Sequence, residues 1–112
     1  LDQFAEEHPL DPAAGIILSQ AIAGKNATIN FVQVQPGFGQ KLHYHEWHDE
    51  IVYIIRGEGF MTIDGENRSI KTSDLIYLPS KVIHNNSASG NETMEAITIY
   101  VPAFDGKDKI FV

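Results

Sequence analysis

Proline and glycine cut this chain into short apolar stretches, and none of them keeps a helical period for more than two turns. The stretches read as β-strands. Residues 16–22 are apolar and partly β-branched. Residues 27–35 alternate, with Ile29 and Phe31 on one parity and Val32 and Val34 on the other after an expected bulge, and Pro36-Gly37 makes a turn. Ile51 to Ile55 is an unbroken apolar run within residues 50–56, as expected of a strand buried on both faces. Residues 60–63 and 66–70 flank Asp64-Gly65, a dipeptide that tolerates the positive φ of a two-residue hairpin turn. Residues 75–78 form a strand stopped by Pro79, 82–86 another, 87–91 a polar loop and 93–101 a long strand stopped by Pro102. A charged tail ends in Ile110-Phe111-Val112. Eight to ten short strands predict an all-β barrel or sandwich. At 112 residues the chain fits one domain. Residues 1–15, punctuated by Pro9, Pro12 and Gly15, are expected to be an irregular arm with at most a helical turn over 4–7, and residues 16–112 to be the barrel.

Composition narrows the chemistry. Without cysteine there can be no disulfide, thiolate nucleophile, iron–sulfur cluster or Cys-ligated zinc, so any metal must be held by nitrogen and oxygen. The net charge is −7 and the eight Lys and Arg are scattered, which argues against nucleic acid as a partner. No apolar run approaches the roughly 20 residues needed to cross a bilayer, so no membrane partner is expected. The chain starts at Leu1 rather than Met, so an upstream piece is expected. A soluble protein, cytoplasmic or exported, fits equally.

Histidine concentrates in the segment His43-Tyr44-His45-Glu46-Trp47-His48-Asp49-Glu50. Side chains at i and i+2 of a strand share a face, so His43 and His45 project together. Glu50 opens the next strand, and a barrel wall can bring His84 onto the same interior. Each residue alone has a plainer reading. A His-x-His pair is more often on the surface, a glutamate solvated, and a single histidine half-buried and hydrogen-bonded. Together, three imidazoles and a carboxylate suit one divalent transition metal ion per chain: iron, nickel, manganese, zinc or copper. Four protein ligands would leave two positions of an octahedron for exchangeable ligands.

Gly37-x5-His43-x-His45-x4-Glu50-x6-Gly57 matches the first signature of the cupin superfamily at every fixed position. The second, Gly-x5-Pro-x-Gly-x2-His-x3-Asn, is met by Pro79 and His84, while Ser73, Lys81 and Ala88 replace its two glycines and its asparagine. The chain thus resembles small single-domain cupins over residues 27–101. The resemblance implies a jelly-roll barrel of two antiparallel sheets, His43, His45, Glu50 and His84 as metal ligands, and commonly a homodimer. The apolar Ile16-Ile17-Leu18 strand could pair with a second copy at a sheet edge. Loss of glycine at 73 and 81 predicts altered turns rather than lost metal binding.

Other residues have weaker claims. His48, in the loop with Asp49, could be an acid or base at the metal mouth, although an exposed loop histidine is the plainer reading. Trp47, Tyr44, Tyr53, Tyr77 and Tyr100 would line the barrel or simply fill it. Asn86, on the parity of His84, and Gln40 could orient a ligand. Three functions fit: a metal-dependent enzyme (an oxygenase, or a Lewis-acid isomerase or lyase), a non-catalytic small-molecule binder whose metal anchors an oxyanion, and a barrel with a structural metal. Tyr, Phe, Ile and Val are expected to make the cavity apolar, with the metal holding a small oxygen-rich ligand such as a carboxylate, enol or catechol-like phenol.

Overall fold

A computed structural model describes residues 8–11, 16–104 and 107–112, with side chains described from residue 21 onward. Among them are eleven strands in two antiparallel sheets, the jelly-roll arrangement that the strand pattern and the resemblance predict. The six-stranded sheet runs β1 (His8–Asp11), β2 (Ile16–Ala23), β3 (Thr28–Val34), β10 (Met94–Val101), β5 (Asp49–Arg56) and β8 (Leu75–Leu78). The five-stranded sheet runs β11 (Ile110–Phe111), β4 (His43–Tyr44), β9 (His84–Ser89), β6 (Glu58–Ile63) and β7 (Glu66–Lys71).

Register sorts the interior into layers. Thr28, Tyr100 and Glu50 lie opposite one another across β3, β10 and β5, followed by Asn30, Thr98 and Val52, then Val32, Ala96 and Ile54. Because inward residues come every second position, each step along the barrel advances all three strands together. The interior therefore grades from polar at one end to apolar at the other. At the apolar end Ile54 and Met94 are all but fully buried with Val34, while Leu78, opposite Glu50, and Met61, opposite Asn86, extend the core alongside the polar layers. Each large apolar side chain withdrawn from water there contributes on the order of 1.5–3 kcal/mol. Gly57 closes the turn after β5 with φ 89°, and a Cβ there would lie 2.9 Å from the carbonyl oxygen of Thr93.

Several local expectations change. His8–Asp11 is a strand paired with β2, not part of an irregular arm, and residues 4–7, where a helical turn was expected, lie outside the described residues. β3 runs against β10 without interruption, so Ile29 and Phe31 simply face outward, and the bulge falls in the β2–β3 pairing between Leu18 and Gln20. β5 is buried on one face only: Val52 and Ile54 are inside while Tyr53 and Ile55 are exposed. The polar stretch after residue 86 continues β9 to Ser89, because Ser87, Ala88 and Ser89 pair with β6. The tail contributes β11, which pairs with β4, the strand that carries His43.

The turns that lack glycine keep the backbone that glycine would favour. Ser73 has φ 75° and Lys81 φ 74°, both in the left-handed region. Their amides are used, Ser73 N–H donating to Ile54 O at 2.8 Å and Lys81 N–H to His45 O at 2.7 Å. The turn shape survives at the cost of local strain. Ser73→Gly and Lys81→Gly should each stabilise the protein by about 0.5–1 kcal/mol, read as a higher unfolding midpoint at unchanged denaturant m-value. A lower midpoint in both variants would show that no strain is stored there.

Candidate metal centre

His43 lies in β4 directly opposite His84 in β9, so the two imidazoles meet with ring centroids 4.4 Å apart. His45 follows just beyond β4 and its ring lies 5.2 Å from that of His43 and 5.4 Å from that of His84. One ligand atom from each of the three histidines lies within 4.8 Å of the others, and all three residues are buried. From the opposite sheet, Glu50 Oε1 comes 3.4 Å from His45 Nε2 and 3.3 Å from His84 Nε2. The four residues that the sequence singles out for a metal are brought together.

The outer ring nitrogens decide what the inner ones can do. His43 Nδ1–H donates to Lys41 O at 2.8 Å, His45 Nδ1–H to Asp108 O at 2.5 Å and His84 Nδ1–H to Val82 O at 3.0 Å. A carbonyl can only accept, so each neutral ring carries its proton on Nδ1 and turns the Nε2 lone pair inward. His45 Nε2 and Glu50 Oε1 are buried with no hydrogen-bond partner. Buried lone pairs facing a carboxylate repel one another unless a positive charge lies among them. Protonation does not supply it easily at His43: burial, together with the neighbouring imidazoles and Lys109, lowers its pKa to about 4 despite the Lys41 carbonyl. Burial works to raise the Glu50 carboxyl, and contacts with His45 and His84 lower it to about 2, but those rings act as donors to it only when protonated, so beside neutral rings its charge is left uncompensated. An ionised carboxylate and three inward lone pairs are the donor set a divalent transition metal ion requires, and the carbonyl bonds behind the rings are the supports such ligands need.

Residues outside the expected set complete the site. Asp108, buried in the C-terminal segment, accepts from the amides of Glu46 at 2.9 Å and Trp47 at 2.7 Å and from His48 Nδ1 at 2.6 Å. Burial tends to raise its carboxyl, but these donors hold it below the usual range. His48 is therefore buried and engaged at both ring nitrogens, the second facing Ala103 O at 3.2 Å, rather than an exposed loop residue or a free base at the metal mouth. Asp49 opens β5 and holds the Tyr77 hydroxyl and the Ser80 amide. Tyr100 stacks on Phe104 with centroids 4.5 Å apart, and both present their faces edgewise to His45. Burial raises the Tyr100 hydroxyl well above its ordinary pKa, and the charge of Glu50 and the hydrogen bond to it act the same way. No sequence pattern connected Asp108 or Phe104 with the histidines.

Of the aromatic residues expected inside, Tyr100 lines the cavity beside the site, whereas Trp47, Tyr53 and Tyr77 are exposed because their parity turns them outward or they lie in loops. Nor is this cavity apolar. Gln40, Asn86, Thr98 and Asn30 line it with Glu50, since the layer below the histidines belongs to the polar end of the barrel.

The cupin domain model matches residues 30–100, most of the chain. The chain is a cupin. It is 36% identical over 67 residues to an uncharacterised protein of Methanocaldococcus jannaschii, covering 60% of this chain and 54% of that protein. It is 28% identical over 88 residues to the oxalate-binding protein of Thermotoga maritima, covering 79% and 73%. The chain spans little more than half the length, 54% and 57%, of the first two curated relatives. Among solved structures, KdgF from Halomonas sp. superposes with TM-score 0.81 at 23% identity, covering 94% of this cupin and 93% of that chain, which shows the shared fold. Among the described residues no helix is long and apolar enough to cross a membrane.

Acid should act on this centre through both the carboxyl and the imidazole shifts. His43 takes its proton at about 4 when folded against 6.5 ordinarily, and Glu50 at about 2 against 4.5. The unfolded chain therefore binds more protons as the pH falls from 6.5, and the stability these groups contribute is lost between about 6.5 and 4 for His43 and between 4.5 and 2 for Glu50. Metal content measured after dialysis should hold to about pH 5 and be gone by about pH 3. Full metal at pH 3 would exclude histidine as the dominant ligand. Asp108→Ala keeps the carbonyl behind His45 but frees the loop at residues 46–48, and should weaken metal affinity about 10- to 100-fold in a chelator competition. Unchanged affinity would show that the pairing of β11 with β4 suffices.

Proposed function

We propose that His43, His45, His84 and Glu50 hold one divalent transition metal ion (iron, nickel, manganese, zinc or copper) and that this cupin is a metal-dependent enzyme acting on a small oxygen-rich organic molecule. The observation that carries the reading is the pair of buried, unpartnered atoms His45 Nε2 and Glu50 Oε1 at the meeting point of three imidazoles whose outer nitrogens are committed to carbonyls. When bound, such an ion supplies Lewis acidity at a substrate oxygen, which suits an isomerase or lyase, or dioxygen chemistry, which suits an oxygenase. The protein's own groups do the rest. His43 stays neutral, all three rings are oriented by their carbonyls, Glu50 stays ionised, and Tyr100 keeps its proton against Glu50 at neutral pH. The polar cavity next to Glu50 gives an entering ligand hydrogen-bonding partners away from the metal.

A second reading has a specific support. The Thermotoga maritima relative is named for binding oxalate, so anchoring an oxyanion without turnover is the alternative for this chain. We further propose a homodimer, for which the exposed apolar residues Ile29, Tyr53, Tyr77 and Leu75 on the outer face of the six-stranded sheet offer a surface.

Protein purified without added metal should contain about one transition metal ion per chain, and changing both His43 and His45 to alanine should abolish it. Nickel- or copper-loaded protein should change its visible spectrum with small oxygen donors, and Glu50→Gln should alter that response; the loaded protein should scatter light as a dimer. Stoichiometric metal in the double variant would sink the ligand assignment, spectra indifferent to every donor would leave a structural ion, and a monomer mass at tens of micromolar would remove the dimer.

A further inference from the structure

One layer below the histidines, a cavity of about 40 Å³ lies between the sheets, and among the described residues its one charged lining group is Glu50. Asn86, two residues along β9 from His84, shares the inward face and lines this cavity with Gln40. Asn86 Nδ2–H donates to Gln40 Oε1 at 3.3 Å, while Asn86 Oδ1 is buried with no partner. The juxtaposition is built by the backbone. Gln40 N–H donates to Asn86 O at 2.8 Å, Ala88 N–H donates to Phe38 O at 3.0 Å, and Gly39 bridges Ser87. That approach admits only glycine at 39, since a Cβ there would lie 2.5 Å from Ser87 Cβ and 2.7 Å from the carbonyl oxygen of Asn86.

With Asn86 Nδ2 donating to Gln40 Oε1, the pair leaves the buried Asn86 Oδ1 as a free acceptor with an uncommitted Nδ2 hydrogen on the same amide. A carboxylate, which only accepts, satisfies the donor and leaves the buried acceptor unmatched. An apolar group satisfies neither. A hydroxyl satisfies both, and Thr98, Asn30 and Tyr100 add further neutral partners around the same space.

We infer that Asn86, with Gln40 beside it, recognises a hydroxyl of the ligand, so that the substrate class is a small hydroxy acid or polyhydroxylated acid rather than a plain carboxylate. This rests on the metal-anchored reading above, with the carboxylate end toward the histidines and the hydroxyl end toward Asn86.

The test uses zinc-loaded, ¹⁵N-labelled protein with glycerate and propionate as probes. The side-chain amide signals of Asn86 and Gln40 report the subsite, and the imidazole signals of His43, His45 and His84 report the metal. Glycerate should bind about tenfold more tightly than propionate and move both sets, whereas propionate should move the imidazoles alone. Asn86→Leu should cut the glycerate-to-propionate affinity ratio about fivefold relative to wild type. Chelation through the 2-hydroxyl of glycerate is common to wild type and variant, so the change between them isolates Asn86. If Asn86→Leu does not fold, Gln40→Met carries the same comparison. Imidazoles that respond while both amides stay still, or a glycerate-to-propionate ratio unchanged in both variants, overturn the subsite. Amides that respond to glycerate while the imidazoles do not support the subsite and overturn the metal anchor instead.

Discussion

Three hydrogen bonds from imidazole Nδ1 to backbone carbonyls set the character of this protein's interior. Each one removes the choice of tautomer from a buried ring, and together they aim three lone pairs at one point. Without them the cluster of histidines would be a group of polar side chains able to satisfy one another, and nothing would require a cation. With them the neutral rings cannot bond to each other or to Glu50, and that leaves Glu50 Oε1 and His45 Nε2 unpartnered. Two of the carbonyls, at Lys41 and Val82, lie two residues before their own histidines, so β4 and β9 carry their supports with them. The third comes from Asp108, and it makes the end of the chain part of the site.

The placement of such a site follows from the sorting of the barrel interior. A buried carboxylate and a group of imidazoles would be costly among Val34, Ile54 and Met94, and the register keeps them at the other end. Thr28, Asn30, Thr98 and Tyr100 form a polar collar between the histidines and the core. β3 and β5 run polar to apolar, and β10, antiparallel to both, runs apolar to polar. One sequence pattern written in two directions thus builds a graded interior, and a ligand entering at the histidine end meets hydrogen-bonding groups before it meets the core.

What could be read from the sequence was whatever is local or periodic. His43 and His45 are two residues apart on one face, Asp64-Gly65 names its own hairpin with φ values of 51° and 83°, and Pro79 and Pro102 end their strands. The fixed spacing of the first signature carried Glu50, and the proline and histidine of the second carried His84. Asp108 was illegible because its partners lie about sixty residues away, and no period links a tail to a loop. The exposure of Tyr53 and Ile55 was misread for another reason. A continuous apolar run looks the same whether its second face is covered within the chain or by another molecule. The polar lining of the cavity was missed because Asn30 and Thr98 are unremarkable in sequence and gain meaning only opposite one another in register.

His45 shows how an incomplete signature can still define a site. It lies outside β4, where no ladder holds it, so it is the member of the histidine cluster most exposed to loop motion. Its backbone carbonyl accepts from Lys81 N–H, its ring donates to Asp108 O, and Tyr100 and Phe104 close on the ring edgewise. The first of these anchors needs a left-handed residue at position 81, the place where the family pattern has glycine and this chain has lysine. Glycine would supply that conformation freely, but any residue with an amide can make the bond once the fold forces the turn. Proline could not, lacking the N–H. What the turn must preserve is the N–H and the sign of φ, and both survive the change of side chain.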